Sequence, residues 1–130
     1  METVIIKRYK TSYLNLFRFE KEKIINILEK KGFFNFQIEH IGSTAVEGLS
    51  GKGIIDIAIA FDNYELLKNA FLELKQNNYF GKFENRDLKE IRYFLASNPK
   101  QSQEKDFHLH LLLKDSQVFR DLIFFRDFLN

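Results

Sequence analysis

Apolar positions along the chain follow two periodicities, and the switches between them lay out the elements. Over residues 12–31, Leu14, Phe17, Ile24 and Leu28 recur at near-helical spacing. Ser12 is placed to cap that helix, and Lys30-Lys31-Gly32 closes it with basic residues followed by glycine. A strand is expected over 36–41, ending at Gly42, and the glycines at 48, 51 and 53 make 44–53 a loop. Residues 54–61 read IIDIAIAF, an apolar, β-branched run suited to the centre of a sheet. Asp62-Asn63 starts a second helix to about residue 77, with Glu65 placed for a capping box and Leu67, Phe71 and Leu74 facing inward. Strands are expected at 90–96 and 107–113, with a short one near 79–83 and Asn98-Pro99-Lys100-Gln101-Ser102 as the turn before the last. A final helix starts near Asp115-Ser116 and carries Phe119, Leu122, Phe125 and Leu129 as a core stripe. It has no C-terminal cap before Asn130, so the chain reads as cut short. That succession of elements predicts an α/β (α+β) domain over 1–130, a mixed sheet packed with helices.

Composition narrows the setting. A chain of 130 residues has room for one domain, and its 45% hydrophobic and 29% charged residues are the balance of a soluble globular protein. With no cysteine, neither a disulfide framework nor a thiolate metal site is available. No apolar run reaches the length of a membrane span and Met1-Glu2-Thr3 does not begin a signal peptide, so a cytoplasmic protein without a membrane partner is expected. The net charge of +2 is too small to point to nucleic acid as a partner. The 15 phenylalanines are read as compositional bias and not as a binding surface.

Candidate chemistry concentrates in and around the central strand. Ile55, Ile57, Ile59 and Phe61 share one face, and Asp56, Ala58 and Ala60 share the other, where two alanines leave a recess beside a carboxylate. An Asp flanked by Ile is costly to bury unless it is paired, hydrogen-bonded or bound to a cation. It serves either a ligand or the backbone amides of the glycine loop. Upstream, Gly42-Ser43-Thr44 directly follows a strand, where close backbone approach and two hydroxyls suit a phosphate. His108 and His110 fall on one face of their strand, opposite Phe107, Leu109 and Leu111. They are candidates for metal ligation, for phosphate binding or for general-base work, or else they hydrogen-bond within a polar cleft. His40, ahead of the glycine turn, is a further cleft candidate that also suits fixing the loop. Lys52 and Arg92 are candidate phosphate contacts, and Glu90 is either a third acidic ligand or a surface partner of Arg92. Arg126 is expected to pair with a carboxylate.

The Gly42-Ser43 turn followed thirteen positions later by Asp56 within an apolar strand resembles the nucleotidyltransferase superfamily. More narrowly, residues 38–49 and 52–57 look like the GrpB-like family, whose block usually reads close to EHIGSTSVPGL and then KPIIDI. His108-Leu109-His110 and Phe125-Arg126-Asp127-Phe128-Leu129, similar to the family's FRDYL, follow in the same order. The resemblance implies a nucleotidyltransferase-type fold that binds a small-molecule nucleotide, a nucleoside triphosphate with Mg²⁺. Transfer of a nucleoside monophosphate to an acceptor is the associated activity. Gly42, Ser43, Thr44, Lys52 and Arg92 would hold phosphates and Asp56 the metal. Domains of the family are also found joined to dephospho-coenzyme A kinase. The chain departs from the pattern at Ala58, where catalytic members carry a second carboxylate, and at Glu47 and Gly53, where the family commonly has Pro. Ala58 leaves open a non-catalytic nucleotide-binding module, and the histidines leave open a His/Asp metal enzyme of another class.

Overall fold

The computed structural model describes residues 12–46, 48–49, 51, 53–81, 83–84, 91–99 and 106–130. Helix α1 (Ser12–Glu29) buries Tyr13, Phe17, Glu20, Ile24 and Leu28. Leu14, expected on that face, is 39% exposed, because Tyr13 takes the inward position one residue earlier. The helix ends on Gly32 at φ 87, with Phe33 N–H donating to Leu28 O and Gly32 N–H to Glu29 O, both at 3.1 Å. That pair satisfies the last carbonyls, and only glycine takes this φ without strain.

Strand β1 (Gln37–Ile41) leads into a 3₁₀ turn, Ser43–Ala45, and β2 spans Ile55–Phe61. Helix α2 (Tyr64–Lys75) is capped by Asn63, whose side chain accepts from Leu66 N–H at 2.9 Å. This cap makes Leu66 the third helical residue, so Glu65 is one position too early for the expected capping box. It still sits in the first turn, where its charge suits the helix dipole. Leu67, Phe71 and Leu74 are buried as expected. Strands β3 (Phe83–Glu84), β4 (Arg92–Ala96) and β5 (Phe107–Leu113) follow, and Ser116 caps α3 (Gln117–Leu129) by accepting from Phe119 N–H. The short strand expected near 79–83 is split between a bridge from Phe80 to Ala96 and β3.

The five strands run β1-β2-β5-β4-β3, with β2 and β5 parallel and the other neighbours antiparallel. One face of the sheet is the main core, where Ile55, Ile57, Ile59, Leu109, Leu111, Tyr93 and Leu95 meet α1 and α2. On the other face α3 covers Ile41, Ala58, Ala60 and Leu112 with Phe119, joined by Val118, Leu122 and Ile123. The recess expected beside the two alanines is therefore filled: small side chains let the helix come down onto the sheet, and both alanines are fully buried.

The expected stripe on α3 is offset. Phe125 and Leu129 are 62% and 52% exposed, and Phe124 and Phe128 also face outward. The line that meets the protein runs Phe119, Ile123, Arg126, Asn130. Its last two members are polar because their targets are: Arg126 reaches Glu39 and His40 O, and Asn130 donates to Ala45 O. No helix among the described residues is long and apolar enough to cross a membrane.

Candidate functional site

On the sheet face that α3 covers, strand register gathers polar residues near the 3₁₀ turn, where the Asp56 side chain stays partly exposed. Asp56 pairs with Ile41 on β1 and His108 on β5, His110 pairs with Ala58 and with Phe94 on β4, and Arg92 pairs with Leu112. All of these side chains share one face. His110 reaches diagonally, a spacing an imidazole can span, to place Nε2 3.0 Å from Asp56 Oδ1, while His108 Nδ1 stands 3.8 Å from the same oxygen.

On its other side His110 Nδ1 receives Arg92, from Nε at 3.2 Å and Nη2 at 2.8 Å. A guanidinium only donates, so Nδ1 accepts and Nε2 carries the proton it gives to Asp56. Arg92, His110 and Asp56 thus form a directed chain from cation through neutral imidazole to carboxylate. Phe94 sets its edge geometry against both rings, 4.9 Å from His108 and 5.6 Å from His110.

The glycine turn closes the corner. Gly42 has φ 74 and ψ −171, a region that is essentially glycine's alone. A Cβ there would lie 2.6 Å from Asp56 Oδ2. The carboxylate therefore rests directly on the turn, with Oδ1 turned to the histidines and Oδ2 to Gly42. Ser43 packs on Gly51, where a Cβ would collide with its Oγ. Gly53 has φ 78, a backbone that proline cannot adopt.

Two candidates stand elsewhere. His40 lies on the opposite sheet face, in register with Ile57 and stacked on Phe17 at 4.5 Å, and its Nε2 meets Thr44 Oγ1 at 2.9 Å. Thr44 is buried and its hydroxyl also donates to Ile54 O. Neither side chain reaches the Asp56 corner: the imidazole and the hydroxyl satisfy each other and tie the turn to the core. Burial lowers the His40 pKa to about 4, against an upward pull from Asp56, with Arg126 adding to the drop.

Arg126 makes the expected carboxylate pair, at 2.8 Å from Glu39 Oε1, and also bonds His40 O and Asp127. Burial opposes its charge, but the Glu39 and Asp127 contacts raise its pKa overall. Arg92 is engaged by His110. Lys52 and Glu90, like Glu47, lie outside the described residues. Sequence reasoning missed Phe94, Gly51 and Glu39. The advance signals were that Phe94 shares a strand face with Arg92, that Gly51 belongs to the glycine loop, and that Arg126 needed a carboxylate partner.

One carboxylate oxygen beside a glycine turn suits a hard cation that takes most of its ligands from phosphate and water. It does not suit a tetrahedral histidine site, because both nitrogens of His110 are engaged and no group of three ligating side chains occurs among the described residues.

Comparison with known proteins places this architecture. The curated relatives include the UPF0157 protein BH1888 of Halalkalibacterium halodurans, 28% identical over 127 residues. That match takes in 98% of this chain and 60% of the relative. The UPF0157 protein YqkA of Bacillus subtilis is 28% identical over 121 residues, 93% of this chain and 33% of that protein. The chain thus spans under two thirds of the length of either. Among solved structures, the conserved protein GrpB from Enterococcus faecalis superposes with a TM-score of 0.77 at 25% identity, covering 96% of this chain and 72% of that one. The Cid1 poly(U) polymerase, solved with MgATP, superposes at 0.67 with 14% identity, over 95% of this chain and 38% of that enzyme. The fold is that of the nucleotidyltransferases. The profile of the family described as "GrpB protein" matches residues 3–130, and the chain belongs to the GrpB family.

Proposed function

We propose that the chain binds a nucleoside triphosphate at the Asp56 corner, with one Mg²⁺ held by Asp56 and the phosphates against the Gly42-Ser43 turn. The observation that carries this reading is the partly exposed Asp56 carboxylate resting on Gly42. Support comes from the likeness to nucleotidyltransferases, among them Cid1, which has been solved with MgATP and with MgGTP. A bound Mg²⁺ would supply charge neutralisation to the phosphates. Gly42 lets the backbone approach the ligand, the 3₁₀ turn presents its first amides, and Asp56 orients the cation. Transfer of a nucleoside monophosphate to an acceptor is weak or absent in this reading, because Ala58 stands where the second carboxylate would be and lies buried under α3.

Calorimetric titration with a nucleoside triphosphate and Mg²⁺ tests the reading, run beside a labelled-triphosphate transfer assay. Saturable, Mg²⁺-dependent binding is expected, reduced at least about tenfold in Asp56→Asn. That variant should keep its fold, since the Asn side-chain oxygen can still accept from His110 Nε2–H. Absence of binding by the natural chain would sink the proposal. Robust transfer abolished by Asp56→Ala would make the protein an enzyme that manages without the second carboxylate.

A further inference from the structure

We propose that Arg92 is a positioning residue: acting through His110, it fills the place of the missing second carboxylate and leaves Asp56 a single oxygen, the one above Gly42, for a single cation. Position 58, where a second carboxylate would project, is an alanine in register with His110. The His110 ring occupies the space beside it and reaches back to Asp56 Oδ1 at 3.0 Å. A neutral imidazole donates to that oxygen only as the Nε2–H tautomer, and a neutral histidine is free to carry its proton on either nitrogen. Arg92 removes that freedom, because its donors at 2.8 Å and 3.2 Å require a lone pair on Nδ1. Phe94 holds the ring plane from the side.

The corner therefore carries a cation and a carboxylate joined through a neutral ring, where two carboxylates would carry two negative charges that need metal to coexist. The consequence is a change of stoichiometry. With Oδ1 accepting from His110, Oδ2 at the turn is the oxygen offered to a cation, and one divalent ion per chain is expected.

Long-range ¹⁵N–¹H correlation spectra of His110, recorded without ligand at a pH where the ring is neutral, read the tautomer directly. The natural chain should show Nε2–H alone, Arg92→Leu a mixture with Nδ1–H, and Arg92→Lys, which restores a donor, a return towards Nε2–H. Nδ1–H in the natural chain, or an unchanged tautomer in a folded Arg92→Leu, overturns the proposal. Should Arg92→Leu fail to fold, Arg92→Gln provides the weaker donor against which the natural chain is compared.

The second readout rests on the nucleotide reading. Binding of Mn²⁺ with a non-hydrolysable triphosphate should give one ion per chain, and affinity should fall roughly tenfold in Arg92→Leu. Two ions per chain would overturn the single-cation assignment. A tautomer shift in Arg92→Leu, in a natural chain that binds no nucleotide, would sustain the positioning role and remove the nucleotide reading.

Discussion

His40 and Asp56 sit on adjacent strands, and the pleat sends them to opposite sides of the sheet. Asp56 keeps a partly exposed carboxylate at the corner, while His40 is sealed between Phe17 and Thr44. Folding therefore keeps His40 neutral, and its pKa drops from 6.5 to about 4. The unfolded chain binds the proton more readily, so stability rises with pH across that window. The contribution is complete above pH 6.5 and is lost as the pH falls towards 4. Its full size is on the order of 3 kcal/mol. Urea unfolding of the natural chain and of His40→Gln through this range checks it: the natural chain should lose stability more steeply on acidification. Parallel curves would mean that the imidazole is not the group responsible.

Helix α3 shows what periodicity can and cannot say about an element. Its existence and start were legible from Ser116 and the apolar spacing, but its inward line was misplaced. Three aromatic residues, Phe124, Phe125 and Phe128, outweigh Arg126 and Asn130 in any hydrophobic reading, yet it is the polar pair that meets the turn and β1. The same helix decides the fate of position 58. Ala58→Asp would restore the superfamily's carboxylate spacing in sequence, but it would place a charge under Phe119 and beside Glu39, its partner in register. An uncompensated buried charge costs about 3 kcal/mol or more. Chemical denaturation should show a loss of that order, with no gain in Mg²⁺ affinity. A stable Ala58→Asp that binds Mg²⁺ more tightly would show that α3 can lift away from the sheet.

At the scale of the whole molecule, the strands and the Gly42–Asp56 pair were legible because their signals lie within one short stretch of sequence: alternation, a glycine turn, and a carboxylate thirteen residues after Ser43. The Arg92–His110–Asp56 chain was not, because it exists only when β5 inserts between β2 and β4, and nothing in the spacing of those residues announces that order. His40 and Thr44 were grouped with the site by proximity in sequence, which the pleat overrides. The parallel pairing of β2 with β5 carries a consequence for exchange with solvent. Asp56 and His110 stand 54 positions apart, and their strands form the middle of the sheet, so no local fraying can separate them. Backbone amides of β2 and β5 should exchange their hydrogens only through global opening, with the free energy measured by denaturant, while those of the 3₁₀ turn exchange through smaller fluctuations. Exchange of β2 amides at a lower free energy than those of α1 would refute this. If it holds, the corner has no half-formed state: Asp56 meets His110 only in chains whose sheet is complete.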